Sequence, residues 1–316
     1  MQFSVFTCTA GILLQTALAL PSYPRGLQSK PASTVFQLES NGTWFENLAV
    51  RSDGTLLATR IDAPELWSIE PNTNTSRPGR GALLTTFPNA MSTLGITELA
   101  RDVFAVVAGN LSLPSVTPTP GSFAVWTVNL TGTVPSTQVL AHMPAADFLD
   151  GMAKFGDDLL LLTDASQGAI WRLNMTSGES CVMLSHPSMV PAAGQPPRQE
   201  VYGRFPVDGN ARPTGPVEMI ASGLFFDGFA LMPDGTAYLT TNPQTEVIEV
   251  SPEGRVRLLA GSQFMLAVGG STAAAVDQER SVLYVATSGA QFAPVMGRME
   301  PAKVVGHFVV VCLTAV

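Results

Sequence analysis

Gly228-Phe-Ala-Leu-Met-Pro-Asp-Gly-Thr-Ala-Tyr-Leu-Thr, residues 228–240, followed by Glu246-Val-Ile-Glu-Val, is the stretch that decides the fold. It reads as two apolar strands joined by a tight turn, then a short loop and a third strand. Asp234-Gly235 is a hairpin signal because both residues tolerate positive φ. The same phrase recurs twice. Leu48-Ala-Val-Arg-Ser-Asp-Gly-Thr-Leu-Leu-Ala-Thr precedes Glu65-Leu-Trp-Ser-Ile, and Gly151-Met-Ala-Lys-Phe-Gly-Asp-Asp-Leu-Leu-Leu-Leu-Thr-Asp precedes Ala169-Ile-Trp-Arg-Leu. A further strand, such as Val139-Leu-Ala or Val256-Arg-Leu-Leu-Ala, ends a copy. Four short strands per repeat make a propeller blade. The fold class is all-β, a six-bladed β-propeller.

Working outward, blade 1 spans roughly 38–71, blade 2 roughly 83–130 and blade 3 roughly 139–184. Blade 5 spans roughly 217–250 and blade 6 roughly 256–311, with Val282-Leu-Tyr-Val-Ala-Thr as a strand. Residues Thr34 to Leu38 complete the last blade and close the ring. Blade 4 is abbreviated. Residues 185–216 are rich in Pro and Gly and hold one strand, near Val201-Tyr-Gly-Arg-Phe, with no Asp-Gly hairpin before it. The alternative is five proper blades and a patch. Apolar runs of four to seven residues dominate, and no long helical period is present.

Composition supports a packed β domain. The chain has 316 residues, 46% apolar and only 13% charged, with 28 Gly and 24 Pro for turns. A net charge of −8 without a Lys/Arg cluster argues against nucleic acid and against an anionic membrane as partners. Residues 1–19 read as a signal peptide, leaving 20–316 as a single propeller domain. Phe3 to Leu20 is uncharged and mostly apolar, and Ala17-Leu18-Ala19 is a small-x-small cleavage pattern. As a membrane anchor this run is short. Sequons at Asn41, Asn74, Asn110, Asn129 and Asn174 agree with passage through the secretory pathway. Cys8 would leave with the leader. Cys181 and Cys312 would then either pair or stay as thiols.

The phrase Asp-Gly-Met/Phe-Ala followed by Leu-Leu-Thr-Asp or Ala-Tyr-Leu-Thr resembles the gluconolactonase and senescence-marker-protein superfamily of six-bladed propellers. Trp44-Phe-Glu-Asn-Leu-Ala-Val-Arg, Leu94-Gly-Ile-Thr-Glu-Leu, Leu149-Asp-Gly-Met-Ala and Ile170-Trp-Arg-Leu resemble a group of secreted fungal propellers. Some of that group resemble hetero-Diels–Alderases that join a tropolone-type quinone methide to a humulene-type sesquiterpene.

Propeller ligands bind where the inner strands begin, which places three acids, Glu46, Asp150 and Asp227, at equivalent positions. Two chemistries follow. In one, which the first resemblance implies, Glu46, Asp150 and Asp227 hold Ca²⁺ or another divalent cation for a lactonase. Blade 4 would owe the fourth ligand, and its inner strand is missing. In the other, no cofactor is used. An apolar pocket of Trp44, Phe45, Met91, Phe148, Tyr202, Phe226 and Met265 confines small apolar natural-product substrates. Glu46, Asn47, Asp150 and Asp227 then supply hydrogen bonds or act as base. A non-catalytic binding propeller is the third possibility. Asp150-Gly151 and Asp227-Gly228 also suit plain turns, and the aromatics also suit packing between blades. Asp164 reads as a turn cap. His142 is placed near the start of blade 3, either at the channel mouth or on the surface. Nucleophile elbows and phosphate-binding glycine loops are absent.

Overall fold

The computed structural model describes residues 2–5, 32–72, 79–190 and 201–308. Five four-stranded antiparallel sheets and one three-stranded sheet are arranged as propeller blades. Blade 1 runs Phe45–Val50, Leu56–Arg60, Glu65–Glu70 and Arg80–Thr86 from the axis outward. Blade 2 runs Ser92–Ala100, Val103–Gly109, Ala124–Asn129 and Ser136–His142. Blade 3 follows with Leu149–Phe155, Leu159–Asp164, Ala169–Asn174 and Ser180–Ser185. Blade 5 has Phe226–Leu231, Ala237–Thr241, Glu246–Val250 and Val256–Gly261.

Blade 6 closes the ring. Ser271–Asp277, Val282–Thr287 and Lys303–Phe308 are joined at the outer edge by Ser33–Gln37, paired antiparallel to Lys303–Phe308. The expected closing stretch therefore does close the ring. Val139-Leu-Ala and Val256-Arg-Leu-Leu-Ala do end a copy, as expected, but several of the expected blade limits were wrong. Arg80–Thr86, Ser136–His142 and Val256–Gly261 are outermost strands of blades 1, 2 and 5, not starts of the next unit. Glu218–Ser222 belongs to blade 4, pairing with Val201–Pro206. Each error arose because one turn separates both strands within a blade and neighbouring blades.

Blade 4 is abbreviated, as expected. Val201–Pro206 and Glu218–Ser222 hold its two outer places, since Glu218–Ser222 leads directly to the inner strand of blade 5. Gln2–Val5 pairs antiparallel with Val201–Pro206 in the next place inward. The innermost place has no strand among the described residues.

Packing follows the two-residue period of the strands. Faces between blades bury Phe45, Leu48, Leu56, Tyr284 and Val304 at the junction of blades 6 and 1. Leu66, Phe87, Ile96, Phe104 and Val106 fill the junction of blades 1 and 2. The strands are apolar nearly throughout, because both faces of a blade are covered.

Blades are also latched by hydroxyls. Thr59 Oγ1 donates to the Leu94 carbonyl at 2.7 Å, blade 1 to blade 2. Thr240 Oγ1 reaches the Thr272 carbonyl at 2.8 Å, blade 5 to blade 6. Thr272 Oγ1 reaches the Phe45 carbonyl at 2.7 Å, blade 6 to blade 1. These groups are buried, so losing one leaves polar atoms without water. Thr240→Val keeps the volume and removes the hydroxyl. It should cost about 1–3 kcal/mol in denaturant unfolding, whereas an exposed control such as Thr133→Val should cost little.

One carboxyl gives a pH signature. Burial pushes Glu246 above the ordinary carboxylate range, against a bond from the Gln263 backbone. A raised folded pKa favours the protonated form. That contribution to stability is complete below the unfolded carboxyl's pKa and is lost as pH rises through the folded value. Glu246→Gln should therefore unfold at a higher temperature than wild type at pH 7, with the gap closing by about pH 4.

Candidate functional site

The five complete inner strands share one irregularity. Their register slips by one residue between Phe45 and Leu48, Thr93 and Ile96, Leu149 and Met152, Phe226 and Phe229, and Ser271 and Ala273. Each slip is a β-bulge, which adds twist and re-aims a side chain. In blades 1, 3 and 5 the bulge holds Glu46-Asn47, Asp150-Gly151 and Asp227-Gly228. The unpaired N–H in each is taken by a threonine on the second strand. Asn47 N–H donates to Thr59 Oγ1 (3.0 Å), Gly151 N–H to Thr163 Oγ1 (2.8 Å) and Gly228 N–H to Thr240 Oγ1 (2.8 Å).

The bulges bring their residues to one cavity of about 170 Å³ at the centre of the ring. Glu46, Asp150 and Asp227 line it, from three separate blades, with exposures of only 3%, 1% and 4%. Asn47, Thr163 and Thr272 add polar groups, and Leu48, Ile96, Met152 and Phe229 add apolar ones. Glu46 Oε2 accepts the indole N–H of Trp44 at 2.5 Å, and Asp227 Oδ2 accepts the Asn242 amide at 3.0 Å. Among the described residues, no group of three or more His, Cys, Asp or Glu side chains is placed to hold a metal ion. The carboxylates share a cavity without forming a ligand cluster.

The four candidate polar residues, Glu46, Asn47, Asp150 and Asp227, thus come together. None of the seven candidate pocket residues lines this cavity, and of them Trp44 reaches it through its bond to Glu46. Trp44 and Phe148 lie in the core of blades 1 to 3, where Phe292 packs edge-on to Trp44 at 4.8 Å between ring centroids. Phe45 is buried between blades 6 and 1, and Tyr202 and Phe226 are buried at blades 4 and 5. Met91 and Met265 are more than half exposed. In blades 1, 3 and 5 the residues just before the bulge, Phe45, Leu149 and Phe226, are buried in the inter-blade cores, while the bulge itself carries the acids to the cavity.

Asp164 is a turn cap. Fully buried, it accepts backbone N–H bonds from Asp147, Phe148, Ser166 and Gln167. His142 ends the outermost strand of blade 2 and is exposed, away from the axis. Asn41 and Asn129 are exposed, and Asn110 and Asn174 are partly so. Asn74, Cys8 and Cys312 lie outside the described residues, as does nearly all of the 1–19 leader. Cys181 is exposed. Sequence reasoning missed Thr59, Thr163 and Thr240 as site-forming residues. Their signal was visible as a threonine recurring near the end of each second strand, in Leu-Leu-Ala-Thr, Leu-Leu-Thr and Tyr-Leu-Thr.

Fold and cavity together define a β-propeller with an acid-lined axial site. No family model matches the chain, and no curated protein matches it in sequence. Solved structures do share the fold. A luciferin-regenerating enzyme aligns over 89% of this chain and 96% of its own, at 11% identity and a TM-score of 0.63. The PQQ-bound aldose sugar dehydrogenase of Streptomyces coelicolor aligns over 88% and 96%, at 15% identity and a TM-score of 0.57. An auxiliary nutrient binding protein from Bacteroides ovatus aligns over 88% and 77%, at 12% identity and a TM-score of 0.61. These likenesses show the propeller fold alone. Its bearers include enzymes and a binding protein, so the fold carries no activity by itself.

Glycine sets how closely the inner strands approach. A Cβ on Gly95 would stand 2.4 Å from the Asp150 carbonyl oxygen, backbone against backbone. Gly95→Ala must push blades 2 and 3 apart at the cavity wall. It should lower the unfolding free energy by about 1–3 kcal/mol, while Gly156→Ala, whose Cβ meets nothing, should show only the smaller cost of its positive φ.

Proposed function

We propose that this chain is a small-molecule enzyme that uses axial carboxylates for proton transfer and hydrogen bonding at the oxygen-bearing end of an apolar natural product. The observation that carries the reading is the placement of Glu46, Asp150 and Asp227, from three blades, on one small buried cavity. Three buried acids in a space of about 170 Å³ are costly to ionise together. One is therefore suited to holding a proton while another accepts one, which is the equipment of general acid–base chemistry.

The specific reaction we favour is hetero-Diels–Alder coupling of a tropolone-type quinone methide with a terpene alkene. One carboxylate would take the hydroxyl proton of a precursor, and a carboxylic acid would protonate the departing hydroxide as water. The acid regenerated by the first step would then donate a hydrogen bond to the quinone-methide oxygen, which draws electron density from the diene. Glu46, braced by Trp44, has a fixed direction for this task. The cavity admits the polar ring edge of one partner, so the hydrocarbon must approach from its open side. Confinement of two partners supplies effective molarity without a nucleophile. The exposed or partly exposed sequons at Asn41, Asn110 and Asn129 support action within the secretory pathway.

Glu46→Gln, Asp150→Asn and Asp227→Asn are the tests. At least one should lower turnover of a water-losing precursor by about 10²–10⁴-fold with an unchanged circular-dichroism spectrum, and wild-type activity should persist in EDTA. Full turnover in all three variants would remove the reading. Activity that disappears in EDTA and returns with Ca²⁺ would instead support a metal-dependent lactonase.

A further inference from the structure

A second concave site lies away from the axis, between blade 3 and the turn 208–212 of blade 4, with a volume of about 700 Å³. The face of blade 3 that looks towards blade 4 presents Leu159, Arg172, Asn174 and Cys181, and the turn presents Asn210 and Arg212. These positions share a face because Leu159 pairs with Asn174, and Arg172 with Cys181, across neighbouring strands.

The turn is rigid. Asp208 accepts the N–H groups of Asn210 and Arg212 at 2.8 Å, and Ala211, with φ +59°, is fully buried against Phe205 and Val207. The Arg212 N–H bond first, then that of Asn210 and the nearby charges of Arg212 and Arg172, hold the Asp208 carboxyl below its ordinary range. Arg172 spans the groove, donating from Nη1 to the Asn210 carbonyl at 3.0 Å. Among the described residues, neither the Arg172 nor the Arg212 guanidinium is within ion-pair distance of a carboxylate, although both charges act on Asp208. Glu179, the acid on the groove wall, is exposed and turned to Ser177 Oγ at 3.5 Å.

We propose that this groove binds a small molecule carrying an oxyanion, a carboxylate or a phosphate, through Arg172 and Arg212. Guanidinium is planar and presents paired donors that match both groups. A chain with a net charge of −8 repels anions at long range, so attraction here depends on these two side chains at short range. The proposal is independent of the axial chemistry.

Cys181 is a built-in reporter, because its exposed thiol lies in the groove. The full-length protein, kept reduced, is alkylated with anionic iodoacetate and with neutral iodoacetamide at low ionic strength, and modification of Cys181 is followed by peptide mass spectrometry. Thr176→Ala, which abolishes the Asn174 sequon, is the background, so that no sugar fills the groove. The iodoacetate-to-iodoacetamide rate ratio at Cys181 should exceed that of the same thiol in the urea-unfolded chain by about tenfold. Inorganic phosphate or citrate should slow iodoacetate saturably compared with chloride at equal ionic strength. Protection by phosphate alone assigns a phosphate ligand, and protection by citrate alone assigns a carboxylate. Arg212→Gln, which leaves the Arg172 brace in place, should return the ratio to the unfolded-chain value. A native ratio equal to the unfolded one, a ratio unmoved by Arg212→Gln, or a native thiol that reacts with neither reagent would overturn the proposal.

Discussion

One extra residue in each complete inner strand governs the centre of this molecule. A regular antiparallel strand would send alternate side chains into the two neighbouring blades and none along the axis. The bulge breaks that alternation and frees one backbone N–H, which must find a partner in a space closed to water. In blades 1, 3 and 5 the partner is a threonine hydroxyl, and in two of those blades the same hydroxyl also donates to the next blade. One side chain therefore satisfies the bulge and fixes the spacing between blades. The acids at the axis depend on it for their direction.

The ring is held by its chain ends as much as by its core. Ser33–Gln37 pairs with Lys303–Phe308, so the outer strand of blade 6 comes from the opposite end of the sequence. Such a closure links strands that are far apart in the chain and defers ring formation until both are made. Blade 4 is the exception to the pattern. Two strands complete its outer part, Gln2–Val5 adds a third, and no described strand takes the innermost place.

Propellers hold their chemistry at the axis because inner strands from different blades meet only there. Here the meeting places buried carboxylates beside Asn47, Thr163 and Thr272, with aliphatic groups around them. The polar character of the cavity, and its small size, suit one oxygen-bearing group better than a bulky hydrocarbon. The large aromatics serve instead as wedges between blades, where their area stabilises packing most.

The sequence alone determined the propeller class, the abbreviated blade and the closing strand. Asp-Gly hairpins and two-residue periodicity are local signals, and a repeat makes each one count several times. It also placed Glu46, Asp150 and Asp227 at equivalent points of three blades. Blade limits were less legible, since Arg80–Thr86 and Val256–Gly261 carry no mark of the sheet they join. Only the tertiary structure decided that Trp44, Phe45, Phe148, Tyr202 and Phe226 face the cores while the acids face the axis. A bulge shifts register by one residue, and a one-residue shift exchanges the faces of a strand. That shift is set by the partner strand and the neighbouring blade, through contacts that no single strand contains.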